Sequence, residues 1–248
     1  MPKNYTGWNG AESRLRGGTA IFAWHHIARP PWGARIRGLY VDANCFRRQL
    51  SELQSVGYEF IRVGDVLAGD TEKKAVVTID DGYVDVLENG MPVLESLQIP
   101  AILYVVAGKI GGINDWDSGG REKPSRLMNH GQIAQWLAAG FEIGAHSMSH
   151  PRLTQIAPEK AREEIAASRK RIEDEFQVPV NSFCYPYGDC NGQIARMAAE
   201  AGYSNAVTLE PGVNASGQNP FLLRRFSVRR PMNPLKRLSR KLRGKSLD

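Results

Sequence analysis

The stretch Ala75-Val76-Val77-Thr78-Ile79-Asp80-Asp81-Gly82-Tyr83 decides how this chain is read. Its first five residues form an apolar, largely β-branched run of the kind that makes a strand buried on both faces. The run stops at two carboxylates and a glycine. In α/β sheets and barrels, function collects at the C-terminal ends of the strands, where these carboxylates fall. Neighbours on an extended chain point to opposite sides. A bend at the strand end, which Gly82 permits, lets both serve one site, one ligating a cation and the other accepting a proton. The same residues also suit a plain turn capping a helix from residue 84, and taken alone that turn is the commoner outcome.

Outward from this strand the pattern repeats. Thr19 to Trp24 reads as a strand ending at His25 and His26. Phe46, Leu50, Leu53 and Val56 follow helical spacing and stop at Gly57. Helix 84–97, strand 102–106, a Gly-rich loop 111–129 carrying Asp115, Trp116 and Asp117, and helix 130–139 come next. Strand 141–145 then runs into His146. A charged helix 158–176, strand 182–185, the turn Pro186-Tyr187-Gly188, helix 192–201 and strand 204–208 complete the series. Strands alternating with helices predict an α/β fold with a parallel sheet covered by helices. The length of 248 residues suits one (β/α) barrel. We expect a polar arm over 1–18, a single domain over 19–228 and a basic tail over 229–248.

The net charge of +6 is uneven. From Arg224 onward there are ten Lys or Arg and one acid, so the rest, with 22 basic and 25 acidic residues, is slightly negative. A basic end alone is no recognition surface, so no nucleic-acid partner is expected. Three cysteines without a CxxC pair give neither a disulfide framework nor a thiolate zinc site. Met1 to Glu12 has no apolar core of a signal peptide, and no apolar run reaches the ~20 residues of a membrane span, so the expected compartment is the cytoplasm. Leu235, Leu238 and Leu242 recur amid Lys236, Arg237, Arg240, Lys241 and Arg243. Such a basic amphipathic helix can lie peripherally on an anionic membrane, or can equally be a solvated tail.

His146 and His150 change the weight of the Asp-Asp-Gly turn. On one helical turn an i, i+4 pair shares a face, so both rings can reach one ion. Imidazole plus carboxylate suits zinc, with cobalt and nickel as alternatives. A His-His-Asp set leaves positions open for water and substrate. His25 or His26, at a strand end, can serve as an acid or be a buried ring bonded to backbone; spacing does not choose. The turn at 186–188 can aim a backbone N–H at an oxyanion. Trp24 and Trp116 are candidate aromatic walls of the site, or core.

Together these segments resemble the polysaccharide deacetylases of carbohydrate esterase family 4, the NodB-homology family. Thr78-Ile79-Asp80-Asp81-Gly82-Tyr83 is similar to its first motif, His146-Ser147-Met148-Ser149-His150 to its second, and Tyr185-Pro186-Tyr187-Gly188 to part of its third. The resemblance implies a distorted (β/α) barrel. It also implies a divalent metal, most simply Zn2+, on Asp81, His146 and His150, with Asp80 as base and the Tyr187 N–H in the oxyanion hole. Phe22-Ala23-Trp24-His25-His26 resembles the start of the permuted, biofilm-type deacetylases of poly-N-acetylglucosamine, which places the acid on His25 with His26 beside the substrate. The implied reaction is removal of N-acetyl groups from an amino sugar in a polysaccharide or lipid-linked envelope glycan. One departure stands out. The Arg that opens the third motif and orients the base is Cys184 here, which cannot make that charged contact. This keeps two other readings open: a catalytically impaired sugar-binding relative, and a hydrolase of small non-sugar amides on the same fold.

Overall fold

The computed structural model describes residues 15–34, 36–116 and 124–229. Its strands are β1 (Thr19–Trp24), β2 (Glu59–Phe60), β3 (Lys74–Ile79), β4 (Ala101–Val105), β5 (Glu142–Ala145), β6 (Ser182–Cys184), β7 (Asn205–Val207), β8 (Val213–Asn214) and β9 (Phe226–Ser227). The helices are α1 (Ala43–Ser55), α2 (Met91–Leu97), α3 (His130–Ala138), α4 (Pro158–Phe176) and α5 (Gly192–Glu200). One sheet runs β7-β6-β5-β4-β3-β1-β8, with β2 beside β3 and β9 beside β1. Every pairing is parallel except β1 with β8.

The sheet curls because one segment joins its two edges. Leu223 pairs with Val207 of β7, while Phe226 and Ser227 pair with Phe22 and Ala23 of β1. The result is a distorted barrel, and residue parity decides what fills it. Phe22, Trp24, Val77, Ile79, Leu103, Val105, Ile143 and Phe183 face the helices and form the main core. Their neighbours Ile21, Val76, Ile102, Tyr104, Cys184 and Val207, with Leu223, form a second, smaller cluster in the barrel interior. By the same parity Thr78 and Asp80 belong to the interior. Strands buried on both faces explain the near-continuous apolar runs of the sequence.

The helices follow their local signals. Asp42 caps α1 by accepting from the Cys45 N–H, and Phe46, Leu50 and Leu53 are buried as their spacing predicts. Asn129 and Gln132 form a reciprocal capping box on α3. Predicted helix 84–97 is instead a π-helical turn, Val86–Gly90, leading into α2. Pro92 has no N–H to donate back to Glu88, so one uninterrupted α-helical ladder is excluded. β2, β8 and β9, two residues each, are too short to leave a periodic signal. Among the described residues no helix is long and apolar enough to cross a membrane. The tail helix expected around 235–242 lies outside the described residues.

Gly144 of β5 lies on the interior side. A Cβ there would lie 2.5 Å from the Tyr104 ring and 2.9 Å from the Ser182 carbonyl oxygen. Gly144→Ala is therefore expected to destabilise the fold by about 1–3 kcal/mol, read as a lower urea midpoint with an unchanged slope.

Candidate metal centre and its catalytic neighbours

Asp80 closes the ladder of β3, its N–H donating to the Trp24 carbonyl at 2.9 Å. Its side chain therefore keeps strand parity and enters the barrel with Thr78. Asp81, next in line, would face away. It does not, because the chain turns sharply there: Asp81 and Gly82 both take left-handed conformations, at φ 75° and 80°. Asp tolerates this region better than most non-glycine residues, and Gly pays nothing for it. The turn brings the second carboxylate to the same end of the barrel as the first.

His146 and His150 meet Asp81 there. The two Nε2 atoms are 3.2 Å apart, and each is 3.5 Å from Asp81 Oδ1. A tetrahedral zinc ion with bonds of about 2.0–2.1 Å has donor–donor edges of about 3.4 Å. The donor set and its spacing thus fit one divalent ion. His146 Nδ1 donates to the Cys184 carbonyl at 2.7 Å, which turns Nε2 toward Asp81 and His150. Burial opposes a charge on this ring, but Asp81 outweighs it and raises the pKa well above its ordinary value, so an arriving ion would displace the Nε2 proton. Burial, together with the neighbouring His146, pushes His150 down to about 3, so its ring is neutral. Burial opposes the charge on Asp81, but the hydrogen bond from His146 and the charge of that ring outweigh it and hold the carboxyl well below its usual range.

The histidine pair is not on a helical turn, as i, i+4 spacing suggested. It is on a loop, with Ser147 at φ 61° and His150 at φ 64°, and the His150 N–H donates to Ser147 Oγ at 2.9 Å. The His150 ring lies between Trp116, stacked at 4.5 Å, and the edge-on ring of Tyr187, also at 4.5 Å. Arg152 covers the Tyr187 ring at 4.3 Å. Tyr187 itself is left-handed, at φ 60°, in the turn after β6. Asp189 ties that turn to the segment following His150 by accepting from the Thr154 N–H at 2.8 Å and from its hydroxyl at 2.7 Å.

The contact expected from an arginine in the third motif is made by Arg225 instead. It enters from the segment that closes the barrel and is fully buried. Nη1 and Nη2 donate to Asp80 Oδ1 and Oδ2 at 2.7 and 2.8 Å. Nη1 also reaches Thr78 Oγ1 at 2.9 Å, Nη2 reaches Cys184 Sγ at 3.1 Å, and Nε donates to the Thr208 carbonyl at 2.8 Å. All five guanidinium donors are used. The small Cys184 side chain occupies the position expected for an arginine and leaves room for one arriving from the other side. Burial works against the charge on Asp80, and Arg225 overcomes it, holding the carboxyl below its usual range. Burial also raises the Cys184 thiol, so it keeps its proton; with Asp80 taken by Arg225, Asp80, His146 and Cys184 do not form a competing metal set.

The other expected site residues divide. His25 Nε2 is 4.0 Å from Asp80 Oδ2, and the ring is partly exposed. Burial lowers its pKa despite the nearby carboxylates. Trp116 is half-buried beside His150. Trp24 and His26 do not face the opening, which corrects their assignment beside the substrate. Trp24 is fully buried against Phe46, with its indole N–H donating to Gln49. Its parity puts it under the helices, one residue out of phase with the barrel interior. His26 is buried between Tyr40 and Tyr83, with Nδ1 2.6 Å from Asp85. Arg225 was missed because no spacing marks it: it falls at the start of the basic end of the chain and meets Asp80 only in three dimensions.

Removing Arg225 strands a buried carboxylate. Arg225→Met is expected to cost about 3–5 kcal/mol near neutral pH, measured by urea unfolding. The folded pKa of Asp80 is depressed, so this stabilisation is complete above the ordinary carboxylate value of about 3.9 and is lost as pH falls through the folded value. The gap between wild type and variant should be flat near neutrality and narrow in acid.

The family model for polysaccharide deacetylases matches residues 68–206, more than half of the chain. YxkH of Bacillus subtilis is 27% identical over 158 residues, covering 64% of this chain and 52% of its own. The poly-β-1,6-N-acetyl-D-glucosamine N-deacetylase of Escherichia coli is 24% identical over 237 residues, covering 80% of this chain and 35% of that protein. The chain thus spans about half the length, or less, of these curated relatives. IcaB from Ammonifex degensii superposes with a TM-score of 0.72 at 22% identity, over 89% of this chain and 94% of that one, which supports the NodB-type barrel. The chain belongs to the polysaccharide deacetylase family.

Proposed function

We propose that this chain is a metal-dependent N-deacetylase of an amino sugar in a polysaccharide or lipid-linked glycan. One observation carries the reading: Asp81, His146 and His150 converge at metal-ligand spacing beside an Asp80 fixed by Arg225. Zn2+, Co2+ or Ni2+ on those three donors would supply a Lewis acid for the acyl carbonyl and for water. Asp80 is ionised and held by two hydrogen bonds, so it accepts the proton of the attacking water without moving. The oxygen of that water bonds to the acyl carbon, and the Tyr187 backbone N–H stabilises the charge that develops on the former carbonyl oxygen. The C–N bond breaks, and His25 passes a proton to the leaving nitrogen. His25 rests with a lowered pKa next to Asp80, so it is placed to collect the proton it delivers. Acetate and a free amine result. Trp116 offers the sugar a wall beside His150.

The reading as an impaired sugar binder rested on Cys184, and Arg225 removes its basis. The intact donor set argues against metal-free amide hydrolysis. The poly-N-acetylglucosamine deacetylases among the relatives support a β-linked N-acetylglucosamine polymer as the first substrate to test.

Acetate release from β-1,6- and β-1,4-linked N-acetylglucosamine oligomers tests the proposal. Asp80→Asn is expected to lower kcat by about 10²–10⁴-fold while metal content stays the same. His146→Ala should lose the metal. Chelator-treated protein should be inactive and recover on adding Zn2+, Co2+ or Ni2+; full turnover without metal would sink the assignment. In an Arg225 variant the acid limb of the kcat/KM profile should move to higher pH, because Asp80 loses the charge that holds its pKa down. Trp116→Ala should raise KM for oligomers more than it lowers kcat.

A further inference from the structure

Helix α4 buries the stripe Ala161, Ile165, Ser168 and Ile172. Glu164 lies in that stripe and is only 4% exposed. A carboxylate on the core side of a helix is costly unless hydrogen bonds replace its water. All three of its hydrogen bonds come from the metal loop. The Met148 and Ser149 N–H groups donate to Oε2 at 2.9 and 2.8 Å, and the Ser149 hydroxyl donates to Oε1 at 2.6 Å. Those donors are the residues between the two histidines.

That loop needs holding. Ser147 and His150 are both non-glycine residues in left-handed conformations, a state that persists only where surroundings over-determine it. One side of the loop is fixed by backbone: the Ala107 and Gly108 N–H groups donate to the Ser147 and Met148 carbonyls at 3.0 and 2.8 Å. Gly108 is required there, since a Cβ would lie 2.4 Å from the Met148 oxygen. The other side is fixed by Glu164. Without it, the Met148 and Ser149 amides lose their acceptor, and His150 is left to the Ser147 Oγ bond and its ring contacts to keep it beside His146 and Asp81.

We infer that Glu164 is a positioning residue for the metal centre: by clamping the Met148 and Ser149 amides it holds His150 at ligating distance from His146 and Asp81. This rests on the metal-binding reading above. Its effect belongs to affinity and coordination geometry rather than to proton transfer, because its partners are all loop donors.

The test is Zn2+ affinity of the full chain by competition with a chromophoric chelator, with the visible spectrum of the Co2+ form as a report on geometry. Glu164→Ala should weaken Zn2+ binding by about 10–100-fold and alter the Co2+ bands. Glu164→Gln should keep most of the affinity, since its oxygen can accept both amides and its NH2 can donate to Ser149 Oγ. Urea midpoints of the metal-free proteins check folding. If Glu164→Ala does not fold, Ser149→Ala, which removes the Oε1 contact alone, should still give a smaller but measurable loss; wild-type affinity in that variant would then overturn the inference. Wild-type affinity and Co2+ spectrum in a folded Glu164→Ala protein would also overturn it. Wild type that fails to bind Zn2+ stoichiometrically would instead overturn the metal reading itself.

Discussion

A carboxylate and a guanidinium, both closed off from water, face each other inside the barrel at the end of β3. Asp80 arrives on the central strand and Arg225 on the segment that seals the sheet between β7 and β1. Neither charge tolerates burial without the other. The pair forms only when Leu223 and Phe226 have taken their places on opposite edges of the sheet. Barrel closure and positioning of Asp80, the proposed base, are therefore one event. The interior around the pair is apolar on the strand side, with Ile21, Val76, Ile102 and Val207. That low-polarity lining strengthens the attraction and raises the cost of losing either partner.

The same end of the barrel gathers a second set of groups by a different device. Asp80 is placed by strand parity, whereas Asp81, His146 and His150 are placed by turns. The left-handed backbone at Asp81, Ser147, His150 and Tyr187 recurs in the loops that follow β3, β5 and β6. Such conformations cost free energy and concentrate where geometry has a task. Those after β5 and β6 are held by contacts outside the three candidate ligands. Ser147 Oγ holds the His150 amide, Glu164 holds the amides of Met148 and Ser149, and Asp189 links Thr154 to the turn of Tyr187. The His146–His150 loop and the turn of Tyr187 are thereby one supported unit.

How much of this was readable from residues follows from which forces leave a local trace. The longer strands and the residues just after them were legible, because an apolar run ending at Asp80-Asp81-Gly82 or at His146 is a contiguous signal. The α1 stripe was legible for the same reason. Facing was not. A strand buried on both sides carries no alternation, so nothing in Ala20 to Trp24 says that Trp24 turns to the helices while Ile21 turns inward. His26 was misplaced beside the substrate for the same reason. Arg225 was illegible for a different one: it lies 145 residues from Asp80, and charge pairing leaves no mark on spacing.

The departure at Cys184 then takes on a physical meaning. What the buried Asp80 needs is a planar, permanently charged partner that can bind both carboxylate oxygens. That requirement fixes a charge, a direction and a volume, but not a position in the chain. From β6 the arginine would have to fill the place where the Cys184 thiol meets Nη2. From the closing segment it reaches the same carboxylate with its Nε on the Thr208 carbonyl and its Nη1 on Thr78, so no donor is left unpaired. A thiol is small enough to pack beside the guanidinium and, with its pKa raised by burial, brings no competing charge. The cysteine is thus the complement of Arg225 and not the scar of a lost site: two guanidinium groups cannot share that volume, so an arginine at one position requires a small neutral residue at the other.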